Sequence, residues 1–153
     1  MSNDFFWRYL TAKERARVVA YPGYGKVGCF KGFDARSFAF NTEAEPALFD
    51  RQFELFDRYV KEGLDIYAYV TVTHTGDGQL KKSMESFVDR LQRIDETLPL
   101  RTIPLEIAAY GPVVSRLSPE RQWAMDVGQH QALEAWREVI FKRLGHDAEN
   151  GAS

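Results

Sequence analysis

The sequence predicts an α/β domain built on a mostly parallel sheet. Three short apolar segments have the composition of strands, and each is followed by a segment with the apolar spacing of a helix. Strands that alternate with helices are joined by right-handed crossovers, which place consecutive strands parallel in one sheet. The predicted order is therefore strand, helix, strand, helix, strand and a C-terminal helix.

Each of the three strand segments is bounded by turn-forming or polar residues. Lys26–Gly32 is short and apolar, which predicts a buried strand. Ile66–Thr73 is β-branched or aromatic nearly throughout, and Arg101–Ile107 is the third such segment. Pro104 argues against the third strand, because proline cannot donate to a sheet ladder. In the second strand, alternation predicts one face of Ile66, Ala68, Val70 and Val72 and another of Tyr67, Tyr69, Thr71 and Thr73.

Capping residues predict the first and last helices. Thr11 and Glu14 have the spacing of a capping box, which predicts a short helix over about 12–20. Ser118 followed by Pro119 predicts the start of the final helix. The buried side of that final helix is expected to consist of Trp123, Val127, Leu133, Trp136, Ile140 and Leu144.

Apolar stripes predict the two middle helices. The first is expected to be capped by Thr42 and Glu45, after a loop, and to end at Gly63. The second follows the loop 74–78 and is ended by Pro99. The stripes are Phe49, Phe53, Phe56 and Val60 in the first helix, and Leu80, Met84, Phe87, Val88, Leu91 and Ile94 in the second.

Composition bounds the class of protein. A chain of 153 residues fits one domain, and its net charge of −2 gives no bulk attraction to nucleic acid or acidic membranes. Its single cysteine, Cys29, rules out an internal disulfide and a cysteine-only metal site, and it favours a reducing compartment, the cytoplasm. We expect Cys29 to be a small buried apolar residue. No apolar run approaches the ~20 residues of a membrane span, and the first residues lack a secretory pattern.

The chain is predicted to divide into four regions. Residues 1–21 form an aromatic and helical N-terminal segment, and residues 22–117 form the core of strands and helices. Residues 118–145 are the C-terminal helix, and residues 146–153 are a short polar tail that we expect to be disordered.

Polar side chains at the strand ends are the candidate binding site. Lys31 ends the first strand, Thr71 and Thr73 end the second, and Glu106 ends the third. In parallel α/β proteins ligands bind at the edge where the carboxyl ends of the strands meet, so these side chains are expected to converge on one pocket rim. His74 follows at the same edge and is a candidate base. No phosphate loop, dinucleotide fingerprint or His-Glu-x-x-His motif is present, and no metal site is predicted.

An ordered series of segments resembles a known family. The strand and Lys-Gly-x-Asp turn of residues 27–34 resemble the fourth barrel strand of radical SAM proteins. The likeness covers roughly residues 22–117, and its further segments are Ser37–Phe38, Asn41–Thr42, Phe49–Phe53, Gly63–Thr71 and Leu98–Ile107.

The resemblance implies a fold and a chemistry. The three strands would correspond to the fourth, fifth and sixth of a TIM-type barrel, so the chain would be a half β/α barrel with a C-terminal helix. The family cleaves S-adenosylmethionine reductively on a [4Fe–4S] cluster to make a 5′-deoxyadenosyl radical. By position Lys31 would lie near the ribose or carboxylate, Thr71 and Thr73 near the adenosyl group or substrate, and Glu106 at the sixth strand end.

The chain departs from the family pattern in two places. The Cys-x-x-x-Cys-x-x-Cys loop is missing, and one cysteine cannot replace three thiolate ligands, so the cluster is not expected to bind this chain alone. Residues 104–107 stand where the family has Gly-x-Ile-x-Gly, which puts nucleotide contacts from that strand in doubt. The chain would then be a truncated or split product or a fragment, and inactive by itself.

A half barrel has consequences for partners. It leaves open strand edges and an uncovered inner face, which predicts self-association or pairing with a chain that supplies the missing strands. Two other functions stay open. One is a non-catalytic module that binds a nucleotide-like ligand or a protein. The other is acid–base chemistry through Glu106, Lys31 and His74.

Overall fold

A computed structural model describes residues 4–76, 79–109 and 111–145 of the chain. Its sheet has three strands, Lys26–Phe30 (β1), Ile66–Thr71 (β2) and Thr102–Leu105 (β3). They are parallel and lie in the order β1-β2-β3. The predicted α/β class, the three strands and their parallel direction are thereby confirmed. The tail expected to be disordered, 146–153, lies outside the described residues.

Eight α-helices accompany this sheet within the described ranges. Short 3-10 turns cover Pro46–Leu48 and Leu98–Arg101, and a π-helical turn covers Ala124–Gly128. The α-helices are Phe5–Tyr9 (α1), Ala12–Val19 (α2), Ala35–Thr42 (α3), Phe49–Lys61 (α4), Leu80–Ile94 (α5), Gly111–Val114 (α6), Pro119–Trp123 (α7) and Gln129–Leu144 (α8). None of the described helices combines the length and apolar composition that crossing a bilayer requires.

Three of the predicted helix signals are confirmed. The Thr11 hydroxyl accepts from the Glu14 amide at 3.3 Å, while the Thr11 amide donates to the Glu14 carboxylate at 2.8 Å. Ser118 accepts from the amide of Arg121 at 3.2 Å at the start of α7. Gly63, with φ of 84°, follows the last turn of α4 in the left-handed conformation that glycine adopts without strain.

The predicted start of the second helix at Thr42 is wrong. Thr42 is the last residue of α3, and its hydroxyl donates to the Phe38 carbonyl at 2.7 Å. A helix capped by Thr42 would require an amide hydrogen at Pro46, which proline lacks. Helix α3 instead begins at Asp34, whose carboxylate accepts from the Ser37 amide at 2.7 Å. Ala35–Thr42, expected to be a loop, is therefore a helix.

The helices bury one face of the sheet. Phe30 of β1 is 1% exposed, and its ring centroid lies 4.8 Å from that of Phe53 and 5.4 Å from that of Phe87. Trp136 of α8 extends this aromatic cluster, with its centroid 6.3 Å from Phe87. Ala68 and Val70 of β2 are fully buried against the same layer. Helices α4, α5 and α8 and the helix-covered face of the sheet thus form a single core.

The opposite face of the sheet is exposed. Val27, Tyr67 and Ile103, one from each strand, are 51%, 44% and 48% exposed. The pairing of Val27 with Tyr67 and of Tyr69 with Ile103 places these side chains on one face. Parallel sheets are normally covered on both faces, so a half-exposed row of apolar residues is unusual for this class.

Pro104 lies within β3, where it pairs with Val70. The register makes alternate residues of β3 bond to β2, and Pro104 belongs to the set that points to the outer edge of the sheet. Its missing amide hydrogen therefore costs no ladder bond. Proline is tolerated at such an edge position, which answers the objection to a third strand.

The N-terminal helices are attached to the end of α4 through Glu62. Its carboxylate accepts from the Trp7 indole at 3.1 Å and from Arg15 Nε at 2.7 Å. The Trp7 ring packs against the ring of Tyr59, with centroids 4.3 Å apart. The Arg58 guanidinium lies 3.9 Å from the centroid of the Trp7 ring. The hydrogen bonds from Arg15, and then from Trp7, lower the pKa of Glu62.

We expect Glu62→Gln to reduce the free energy of unfolding by about 1 kcal/mol at pH 7, because the ionised carboxylate holds both donors. A lowered folded-state pKa contributes stability above the ordinary glutamate pKa and loses it as pH falls through the lowered value. The difference in unfolding free energy between Glu62→Gln and the wild type should therefore shrink as the pH falls through the lowered pKa of Glu62. Urea unfolding at pH 7 and at an acidic pH below that pKa measures it. Glu54→Gln is the control, since Glu54 is 3.9 Å from Arg51 and largely exposed.

Candidate functional site

The carboxyl end of the sheet carries the predicted site residues. Phe30 pairs with Val70, so Lys31 and Thr71 are next to each other in register. Both belong to the alternate set that includes Val27 and Tyr67, which places them on the exposed face of the sheet. Lys31 is exposed, whereas Thr71 is buried. The two residues therefore follow a paired position at the carboxyl end of neighbouring strands, and their shared binding role stays a prediction.

The Thr73 side chain is hydrogen-bonded to Asn41, which was not among the predicted site residues. Its hydroxyl donates to Asn41 Oδ1 at 2.5 Å, and Asn41 Nδ2 donates to the Lys31 carbonyl at 2.9 Å. Asn41 therefore connects the ends of β1 and β2. The local signal near Asn41 was the Asp34 cap, because recognising α3 would have placed Asn41 in the last turn of a helix that directly follows β1.

Glu106 does not join this group. Thr71 pairs with Leu105, so Leu105 and not Glu106 lies beside Thr71. Continuing the alternation from buried Thr102 directs Glu106 toward the helix side. There it lines a cavity of about 580 Å³ together with Gln129 and residues of the α7–α8 segment. The prediction of one rim that includes Glu106 is wrong, since a shift of one residue in a strand reverses the side.

His74 is a packed residue. It is 6% exposed, and its ring centroid lies 6.3 Å from Phe33 and 6.4 Å from Trp123. Its carbonyl oxygen lies against Gly128 of the π-helical turn. With His74 enclosed by aromatic rings and Glu106 on the other face, the acid–base set of Lys31, Glu106 and His74 is not assembled.

Two buried glutamines complete the strand ends. Gln52 of α4 accepts from the Lys31 amide at 2.8 Å, and its own amide donates to the Phe49 carbonyl at 3.3 Å. Gln129 of α8 accepts from the Ile107 amide at 2.6 Å and donates to the Ile107 carbonyl at 3.3 Å. Each side chain thus continues the ladder where a strand stops, which satisfies backbone groups that burial would otherwise penalise.

The described residues do not fit an iron–sulfur cluster. The chain has one cysteine, and no group of three or more His, Cys, Asp or Glu side chains within the described ranges is arranged to hold a metal. A [4Fe–4S] cluster needs several thiolate ligands, which the single cysteine of this chain cannot supply. Cys29 is partly exposed on the open face of β1, which corrects the expectation of a buried side chain.

Comparison with known proteins adds no relative. No protein-family model, curated protein or solved structure matches the chain.

Proposed function

We propose that this chain is the carboxy-terminal part of a radical SAM-type barrel, which contributes residues of the S-adenosylmethionine and substrate pocket and receives the cluster ligands from another chain or segment. The observation that carries the proposal is the one-sided sheet. Three parallel strands in sequential order have their helices on one face and exposed apolar side chains on the other.

This arrangement is typical of a barrel wall. A doubly wound sheet places helices on both faces, and its strand order reverses at a switch point. In a barrel, consecutive strands are neighbours, the helices lie outside, and the inner face is filled by side chains from the other strands. In the proposed barrel, Val27, Tyr67 and Ile103 would lie on the inner face, which side chains of the remaining strands would cover.

The residues at the carboxyl edge suit part of S-adenosylmethionine. The methionine part of that molecule carries a carboxylate, which an exposed ammonium group such as that of Lys31 can bind through charge-assisted hydrogen bonds. Thr71 adds a hydroxyl at the next position in register. Thr73 donates to Asn41, so its role is to position that edge. Glu106 is left out of this pocket.

A second candidate is a non-catalytic module that binds a nucleotide-like ligand at the same edge. The single cysteine favours it, because this chain cannot ligate a cluster by itself. A chain with a single cysteine also suits a reducing compartment, and we propose the cytoplasm. The ligand preference of Lys31 separates the two candidates.

The test is a titration of the isotopically labelled chain with S-adenosylmethionine, followed by amide NMR. We expect shifts centred on Lys31 and Thr71 with a dissociation constant of roughly 1 mM, as befits half a site. Lys31→Met should weaken binding about tenfold, which is the usual effect of losing a charged hydrogen bond. Lys82→Met, an exposed lysine of α5, should leave binding unchanged.

Two results would decide against the proposal. Shifts at the carboxyl edge with ATP but none with S-adenosylmethionine would favour the nucleotide-binding module. Equal weakening by Lys31→Met and Lys82→Met would show that the response is a general effect of charge and not a site.

A further inference from the structure

The outer edge of β1 directs backbone groups away from the sheet. The Lys26 amide donates to the Asp65 carbonyl at 2.8 Å, and Lys26 pairs with Ile66. In a parallel ladder both backbone groups of one residue point to the same neighbour, and successive residues alternate. Lys26 therefore bonds to β2, and the N–H and C=O groups of Val27 point to the outer edge.

The same alternation explains how the top of this edge is closed. Lys31 belongs to the outward set, and both of its backbone groups are taken by side chains. Gln52 accepts from the Lys31 amide, and Asn41 donates to its carbonyl. The backbone groups of Lys31 are thus unavailable to another strand, whereas Val27 lines a groove.

The two edges of the sheet differ in a way that selects one of them. On β3 the outward position is occupied by Pro104, which has no amide hydrogen to offer. Proline on an edge strand disfavours the addition of another strand at that position. On β1 the corresponding outward residue is Val27, which retains its donor. The fold therefore removes a donor at Pro104 on one edge and keeps the donor of Val27 on the other.

A groove of about 510 Å³ runs along the β1 edge, between the strand and helices α3 and α4. Its apolar lining includes Phe38 and Leu48, and its described charged residues are all cations: Lys26, Lys31 and Arg51. An extended segment in this groove would meet backbone groups at its centre and positive charge along its length. Such a surface is complementary to acidic side chains.

We propose that the β1 edge is a strand-acceptor site, at which an extended, acidic segment of a partner chain pairs with β1 through Val27. Main-chain hydrogen bonds supply affinity in this kind of recognition, and side chains supply specificity. The identification of this partner with the missing part of a barrel rests on the proposed function. The open edge and its cationic groove do not.

A second copy of the same edge is a poor occupant. Pairing of β1 from two molecules would bring together two grooves whose described charged residues are the same cations, Lys26, Lys31 and Arg51. Like charges brought together at an interface are destabilising.

The probes are two fluorescein-labelled peptides of about six residues, one alternating valine with glutamate and the other valine with lysine. Fluorescence anisotropy measures their binding, and amide exchange followed by NMR reports the site. We expect the acidic peptide to bind at least about tenfold more tightly at low salt and to lose affinity as salt is raised. Its binding should slow exchange of the Val27 amide, while the Gly28 amide, bonded to β2, changes little.

Matched variants separate the backbone from the charges. Val27→Pro removes only an outward donor and should weaken the acidic peptide about tenfold, whereas Val27→Ala keeps the amide and should retain binding. Lys31→Glu/Arg51→Glu should weaken it by a similar factor. Lys82→Glu/Arg93→Glu makes the same charge change on α5, outside the groove, and should have little effect.

Equal binding of the acidic and basic peptides, or an unchanged Val27 amide at saturation, would overturn the strand-acceptor site. If Val27→Pro does not fold, the charge variants and the Val27 amide still decide the question. S-adenosylmethionine shifts at Lys31 test the proposed function separately. If S-adenosylmethionine causes no such shifts but the acidic peptide still binds, the proposed barrel is rejected and the strand-acceptor site is retained.

Discussion

Gly128→Ala is expected to lower the free energy of unfolding by about 3 kcal/mol or more. A Cβ atom at this position would lie 2.0 Å from the His74 carbonyl oxygen and 2.9 Å from the Trp123 ring. A backbone oxygen cannot move aside as a flexible side chain can. The π-helical turn that Gly128 ends would have to separate from the end of β2, so the attachment of α8 to the sheet would be weakened.

Guanidinium unfolding monitored by circular dichroism measures this change. Gly111→Ala is the matched control, because a Cβ atom at Gly111 has no neighbour within 4 Å. We expect Gly111→Ala to leave the stability unchanged or slightly raised, as alanine is the better helix former. Equal effects of the two substitutions would show that the contact with His74 does not constrain the fold.

Phe30→Ala is expected to cost about 3–5 kcal/mol, the range for removing a buried aromatic side chain. Phe30 lies at the centre of the core, with its ring 4.8 Å from Phe53, 5.2 Å from Phe56 and 5.4 Å from Phe87. Its loss would leave a cavity that three rigid rings cannot fill. The unfolding midpoint in guanidinium chloride should fall with the slope of the transition unchanged.

The control for this prediction lies on the same strand. Val27 is half-exposed on the opposite face, so Val27→Ala should cost less than about 1 kcal/mol. The contrast between the two substitutions measures how one-sided the core is. A loss from Val27→Ala as large as that from Phe30→Ala would mean that the outer face is covered in solution, as it would be in a tight self-assembly.

Local patterns were sufficient to predict most of the elements. The alternation in Ile66–Thr71 and the helical stripe in Phe49–Lys61 each reflect burial of one face, and both elements are present. The capping boxes act over three residues, so the box at Thr11 could be read directly from the sequence. The one at Asp34 was equally local, but its partner Ser37 departs from the usual Glu or Gln.

Long-range contacts explain what was missed. The side on which Glu106 lies depends on the pairing of Thr71 with Leu105, residues that are far apart in the chain. Asn41 acquired its role only because α3 folds over the ends of both β1 and β2. Pro104 was expected to disfavour a strand, but its position in the ladder directs the missing amide hydrogen to the outer edge of the sheet, where no ladder bond is lost.

By itself the sequence determined the class of fold, the three strands with a helix between each pair, and the placement of Lys31 and Thr71 at the carboxyl end of a parallel sheet. These follow from periodicity and capping, which depend on neighbours within one or two turns. Only the tertiary structure decided that Glu106 leaves the pocket, that Asn41 joins the strand ends, and that one sheet edge lacks a donor at Pro104 while the other keeps one at Val27. Register and packing set those features, because they join residues that no local pattern connects.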